Sequence, residues 1–369
     1  MSTSASSRAD GWFRRATQAL LAPVLAVALA MVVGDLLILT YGESPATVYH
    51  LLLEGTWGNW YGFGQVLYKT MTLTCTGLAF AYAGRAGLFN VGAEGQLAAG
   101  GFAAALLGLW LPAATPAVLA ILLCIAAAMV AGGAAGAVPG VLRARFGASE
   151  VIVTIMLNFI LLALLNYAVA SHLSVPETLH TEEMRAGFVP RLGETFAVFA
   201  GSAANWTIVI AVVAAVFAWW KLFRTRSGYE LRAVGLQPDA AEYGGIPVPR
   251  TWFRAMVWSG AFAGLGGINF VLGYKHYYEE GFAAGSGFLG IAVALVGRNH
   301  PIGIVMSALL FATLSQGGLA VNALVPKQLV DILQAVVILA VATAVPEVQR
   351  LLRKSATALL PSATSEAGT

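Results

Sequence analysis

Charge is what this sequence has least of. Charged residues occupy 11% of 369 positions and hydrophobic residues 58%, whereas an ordinary soluble domain carries about a quarter charged residues. That excludes a water-soluble globular protein, which cannot clothe its surface with so few ions. Cysteine is almost absent, and Cys75 and Cys124 both fall inside apolar runs, so neither a disulfide framework nor a metal centre is expected. The five histidines, His50, His172, His180, His276 and His300, fall between the runs, which argues against an intramembrane His and carboxylate enzyme. A phosphate loop of the form G-x-x-x-x-G-K-[ST] is missing. The net charge of +3 reflects arginines near the ends of apolar runs and not a nucleic-acid surface.

What is present is a series of apolar stretches. A helix needs about 20 apolar residues to cross a hydrocarbon core of about 30 Å, and only helices or closed barrels can satisfy their backbone there. These runs do not alternate as barrel strands do. The expected fold is all-α, a polytopic membrane protein of about ten transmembrane helices, some short or broken by Gly and Pro, with both termini cytoplasmic. The spans fall near 16–40, 65–83, 88–111, 116–142, 150–171, 205–223, 252–274, 284–297, 301–321 and 328–346. This gives an N-terminal tail over 1–15, a permease domain over 16–346 and a C-terminal tail over 347–369. Arg14 and Arg15 before a long apolar run read as the start of an uncleaved first helix and not as a secretory signal.

Charge placement supports this map. With both ends inside, Arg8, Arg14, Arg15, Arg85, Arg143, Arg145, Lys221, Arg224, Arg226, Arg232, Arg250, Arg254, Arg298, Arg350, Arg353 and Lys354 collect on the inner side, sixteen of the 21 basic residues. Trp57, Trp60, Tyr61, Tyr274, Tyr277 and Tyr278 then mark an outer aromatic belt, and Trp219 and Trp220 an inner one.

One long polar loop interrupts the apolar pattern, at 224–251. Pro238 is suited to open a helix, Asp239 and Glu242 favour its positive end, Ala240 and Ala241 are small helix formers, and Gly244 and Gly245 stop it. A single helix of about two turns is predicted. Its small residues suit either a cleft on a partner or an ordinary connector.

The stretch AVGLQPDAAEYGGIPVPR (233–250) resembles the coupling segment of permease subunits of bacterial ABC importers, in the group handling branched-chain amino acids, simple sugars and nucleosides. SGAFAGLGGINFVLG (259–273) and GFLGIAVALVGRNHPIGIV (287–305) fit the same family in order and spacing. GLFNVGAEGQLAAGGFAAA (87–105) resembles the nucleoside branch that works with basic membrane lipoproteins, and SEVIVTIMLNFI (149–160) agrees with the longer permease of such systems. Gln237 departs from the family's usual Asn, and Tyr243 and Gly244 vary a less fixed position.

The resemblance implies half of a translocation path for nucleosides and no catalytic residues. It implies ATP and magnesium held by a separate ABC ATPase and not by this chain, a second, paralogous permease, and an extracytoplasmic substrate-binding lipoprotein. Gly235, Pro238, Asp239, Ala240, Ala241, Glu242, Gly245 and Ile246 would couple to the ATPase. The outer loop at 172–204, with Glu177, Glu182 and Glu183, either docks the binding protein or is simply solvated.

Polar residues inside the spans are the candidates for the substrate path, because each costs free energy unless paired, hydrated or functional. Asn90 and Glu94, four apart, are expected on one helical face with Gln96 nearby. Glu94 contacts substrate, or else pairs with Arg85 or backbone. Asn158, about 12 Å into its helix, with Thr154 one turn below, offers donors and acceptors to a nucleobase or to another helix. Asn269 and Phe270 supply a hydrogen bond and a stacking face, or pack the bundle. An ion-coupled secondary transporter is the rival from another class, but of the ion-carrying residues it would need inside the membrane only Asp35 and Glu94 come close. Among cargoes, nucleosides come first, then simple sugars, and branched-chain amino acids last.

Overall fold

The computed structural model describes residue 28, residues 31–326 and residues 328–340. The expected tails, and most of the span placed at 16–40, lie outside them. The described residues contain no strand, only three isolated bridges, so the all-α expectation holds there. Among the described residues, five helical segments are long and apolar enough to cross a membrane: Ala117–Phe146, Glu150–Leu173, Thr207–Arg224, Val248–Lys275 and Pro301–Ala320.

The chain divides into two units, residues 50–320 and the described parts of 1–49 with 321–369. In the smaller unit, helices α1 (Met31–Thr40) and α14 (Gln328–Ala340) meet where the Leu333 side chain packs over Gly34. The Tyr49 hydroxyl donates to the Met31 carbonyl at 3.3 Å. Helix α2 (Pro45–Glu54) occupies a stretch expected to be loop.

The larger unit is built on α3 (Trp60–Gly84), α4 (Ala93–Trp110), α5 (Ala117–Phe146) and α11 (Val248–Phe270). Helix α3 begins five residues before the expected 65, because Asn59 caps it by accepting the Gly62 amide at 2.6 Å. The α5 to α11 seam is made of small residues four apart, Gly132 and Gly136 facing Gly260 and Gly264. A Cβ on Gly264 would run into the Ala128 carbonyl, so the two backbones touch in the manner of small-residue membrane interfaces. Along the apolar window of α11 83% of residues are buried, against 11% for α6 (Glu150–Ala168, continued by a π turn to Leu173). Helix α11 is central and α6 peripheral.

Three other expectations change. The helix expected from 88 begins at Ala93, leaving 85–92 non-helical. The polar loop holds two helices and not one, α9 (Arg226–Leu236) and α10 (Pro238–Tyr243). Thr225 opens α9 by accepting the Gly228 amide at 3.1 Å, a capping signal hidden next to the charged run. The segment 171–205 carries the short α7 (Leu192–Thr195) and is pinned by bridges from His180 to Glu279 and from Arg191 to Asn205. Helix α8 (Thr207–Arg224) then leads to α9, and α12 (Ser286–Val296) and α13 (Pro301–Ala320) close the unit. Helix α12, 11 residues long, spans only about 16 Å and is a half-helix starting inside the bundle.

Candidate functional site

The site begins where α3 ends. Arg85 closes α3 with its amide, which donates to the Ala81 carbonyl at 2.9 Å; its Nε donates to the Asn299 carbonyl at 3.0 Å, and its guanidinium lies 5.6 Å from the centre of the Phe223 ring. Gly87 then adopts φ +76°, a left-handed conformation that a side chain resists. From there the chain runs without helix as far as Ala93, and its amides and carbonyls need partners because no water serves them in hydrocarbon.

Helix α6 supplies those partners from one face. The Phe89 amide donates to Glu150 Oε1 at 3.2 Å, and the Val91 amide to Thr154 Oγ1 at 3.3 Å. Asn158 Nδ2 donates to the Val91 carbonyl at 2.9 Å, and the Gly95 amide to Asn158 Oδ1 at 2.9 Å. Glu150, Thr154 and Asn158 are four apart in sequence, hence stacked on one side of a helix, and they are the only residues of α6 that are buried. A strip of side chains replaces the missing helical hydrogen bonds of residues 89–95.

Asn90 is therefore not on a helix with Glu94. Its Oδ1 accepts the Gly92 amide at 2.9 Å in a tight turn, and its Nδ2 donates to Gln96 Oε1 at 2.8 Å and to Ser259 Oγ of α11 at 2.7 Å. Ser259 passes the bond on to the Ala79 carbonyl at 2.6 Å. Glu94 does not pair with Arg85. Its two oxygens accept the Gly285 amide at 2.7 Å and the Gly287 amide at 2.6 Å, so the carboxylate closes the positive N-terminal end of half-helix α12. Thr76 of α3 ties down the same end through the Ser286 carbonyl at 3.1 Å.

Five candidates, Asn90, Glu94, Gln96, Thr154 and Asn158, are thus gathered around one non-helical segment. Asn269 and Phe270 form a separate group. Asn269 Nδ2 donates to the Tyr68 carbonyl at 2.8 Å and to Thr72 Oγ1 at 2.9 Å, and its Oδ1 accepts from Asn205 at 3.0 Å and from Thr207 at 3.1 Å. The Phe270 ring meets Phe282 at 4.9 Å, Tyr274 at 6.2 Å and Tyr277 at 6.5 Å.

Beyond the Arg85 end of the bundle, α10 opens at Pro238 and stops at Gly244 and Gly245. Ala240 and Ala241 do not act as a pair, since about 100° of helical rotation separates neighbours. Ala240 faces outward with Asp239 and Glu242, while Ala241 is buried beside Val234 and Val248, with Ile246 and Trp252 packed on that cluster. Between α9 and α10 runs a groove of about 460 Å³ lined by Tyr229, Ala233, Leu236, Gln237 and Ala240. Leu236 is 85% and Tyr243 97% exposed.

The sequence reading missed Glu150, Ser259, Tyr229, Leu236 and the half-helix amides at Gly285 and Gly287. The four-residue spacing of Glu150, Thr154 and Asn158 was the available signal for the first. Nothing in the sequence pointed to the others. Among the described residues, no group of three or more His, Cys, Asp or Glu is placed to hold a metal ion.

Residues 62–342 match the family described as branched-chain amino acid transport system / permease component. The chain is 37% identical to the guanosine ABC transporter permease protein NupP of Bacillus subtilis (strain 168), over 88% of this chain and 93% of that protein. It is 36% identical to the nucleoside ABC transporter permease protein NupB of Lactococcus lactis subsp. cremoris (strain MG1363), over 88% and 91%. Similarity extends to the glucose ABC transporter permease protein TsgB13 of Haloferax volcanii, 34% identical over 86% of this chain and 85% of that protein. No solved structure matches the chain. A family of permease components places this protein among transport subunits and not among enzymes, in keeping with its apolar helices. The chain belongs to the branched-chain amino acid transport system permease family.

Proposed function

We propose that this chain is a permease subunit of an ATP-driven importer in a bacterial inner membrane and forms half of a translocation path for nucleosides. The observation that carries the cargo is its 37% and 36% identity, over nearly the full length of both proteins, to permeases of guanosine and nucleoside transporters. Glucose is the second reading, favoured by the 34% identity to the glucose permease.

The geometry supports a transport path in the larger unit. Non-helical backbone and half-helix ends at membrane depth are tolerated only where protein buries them or a cavity runs past them, and such breaks mark the sites of many transporters. Here the segment 88–92 and the start of α12 meet at Glu94. In this reading the chain crosses the membrane about ten times with both ends in the cytoplasm. The α9 to α10 hairpin faces the cytoplasm, and Pro238, Asp239, Ala240, Glu242, Gly245 and Ile246 belong to the surface that docks a separate ABC ATPase, which holds ATP and magnesium, whereas Gly235 packs inward against the backbone of Arg85 and Ala86. Exposed Leu236 and Tyr243 are the apolar anchors of that contact. A paralogous permease supplies the other half of the path, and a substrate-binding lipoprotein docks on the outer segment 171–205. Alternating access follows when movement of α10 repacks the helices.

The test is uptake of radiolabelled guanosine, uridine and glucose by cells with and without the gene. Loss of nucleoside uptake with glucose unaffected is expected. Loss of glucose uptake alone would overturn the cargo, and unchanged uptake of all three would remove both readings.

A further inference from the structure

We propose that Gly87 and Gly235 form the contact through which movement of the α9 to α10 hairpin reaches the non-helical membrane segment, which makes both of them positioning residues for transport. The inference rests on reading the hairpin as the ATPase-coupling element.

Gly235 lies two residues before Gln237, the residue that caps the start of α10. It is pressed against the chain at residues 85–87: a Cβ added at Gly235 would overlap the Arg85 carbonyl oxygen, and a Cβ added at Gly87 would lie 3.4 Å from Gly235 Cα. The contact is backbone on backbone. Side chains can change rotamer and absorb a shift, but close-packed main chain transmits it.

Both flanks of the contact are braced by one ring. Arg232 of α9 lies 5.2 Å and Arg85 lies 5.6 Å from the centre of the Phe223 ring, so the hairpin and the end of α3 share Phe223. Immediately beyond Gly87, the segment is bonded to Glu150, Thr154 and Asn158 and passes into Glu94, which holds the first amides of α12. A displacement of Gly235 toward residues 85–87 therefore has to break those bonds or carry α6 and the start of α12 with it.

A second line of contacts runs in parallel. Buried Ala241 of α10 sits in the cluster against which Trp252 packs. The Arg143 guanidinium lies 4.9 Å from the Trp252 ring and 3.7 Å from Glu150, and Glu150 holds the Phe89 amide. The hairpin thus reaches Phe89 from both sides, through Gly87 and through Glu150.

The test uses the complete transporter in vesicles, with its partner permease, ATPase and binding protein. It reads nucleoside molecules taken up per ATP hydrolysed, together with the amount of ATPase that co-purifies. For Gly235→Ala, the ATPase is expected to co-purify at the wild-type level and to hydrolyse ATP, while uptake per ATP falls about tenfold. A purely structural glycine would lower the yield of complex and leave uptake per ATP in the surviving complex unchanged, and that result overturns the proposal. Should Gly235→Ala fail to assemble, Gly87→Asn tests the same contact. Asn tolerates the left-handed conformation while its Cβ fills the gap, and an unchanged ratio there also overturns the proposal. Failure of the underlying reading has its own signature: Ala240→Trp, placed outward on α10, would leave ATPase binding intact.

Discussion

The non-helical segment inside the bundle and the α9 to α10 hairpin are two places where this apolar chain turns polar, and they are opposites. Around residues 88–95 the polar side chains are buried, with Asn90 at 0% and Asn158 at 3% exposure, and their bonds close within the chain. On the hairpin it is apolar groups that are out of place, with Leu236 and Tyr243 almost fully exposed. A buried polar group that finds its partners at home holds the architecture together. In the function proposed above, these exposed apolar groups beside the α9 to α10 groove are where another molecule docks.

The largest effect that would break this contrast comes from Asn158→Ala. It strips partners from the Gly95 amide and the Val91 carbonyl, and thermal unfolding in detergent is expected to show a loss of about 2–4 kcal/mol. A stable protein that had lost only substrate affinity would move Asn158 from scaffold to path. Glu94→Gln is expected to cost less, about 1–2 kcal/mol, since the amide keeps one acceptor for the Gly285 and Gly287 amides but loses the charge at the start of α12. The same melting experiment reads it.

The other side of the comparison is sharpened by Tyr243→Ala. At 97% exposure its removal should shift stability by no more than about 0.5 kcal/mol, while ATPase recovered by co-purification falls roughly tenfold if it anchors the contact. Equal recovery would show that the exposed ring has no partner there.

The smallest effect concerns His300, beside the Phe223 ring at 5.4 Å. Burial and then the nearby Arg85 hold its imidazole below the ordinary value. A base with a depressed folded pKa binds its proton more readily when unfolded, so stability present near neutral pH declines as pH falls through the ordinary imidazole range. In His300→Gln the difference in melting temperature between pH 7.5 and pH 5.5, two points about one unit either side of that range, should be smaller than in wild type.

Much of the fold was legible in the sequence. Runs of about 20 apolar residues announce spans by length alone, and Pro238 with Gly244 and Gly245 bracketed α10 correctly. The break at 85–92 was not legible, because Leu88, Phe89 and Val91 continue the apolar pattern and the neighbouring segments are helical. Hydropathy records that a residue avoids water and says nothing of whether its backbone is paired within a helix. Helix α9 was hidden for the opposite reason: its arginines and glutamate resemble a solvated connector, and the burial of Leu231 and Val234 that justifies the helix comes from packing on other elements.

The sequence by itself determined that this protein lives in a bilayer as a set of helices, since composition alone forbids a soluble surface and hydrocarbon forbids unpaired backbone. It also determined which family the motifs resemble. Only the tertiary structure decided which groups the buried polar residues bond. Asn90, Glu94, Thr154 and Asn158 carry the same donors and acceptors in any fold, but which of the chain's own groups these meet depends on what lies within about 3 Å of them, and that follows from the packing of helices distant in sequence.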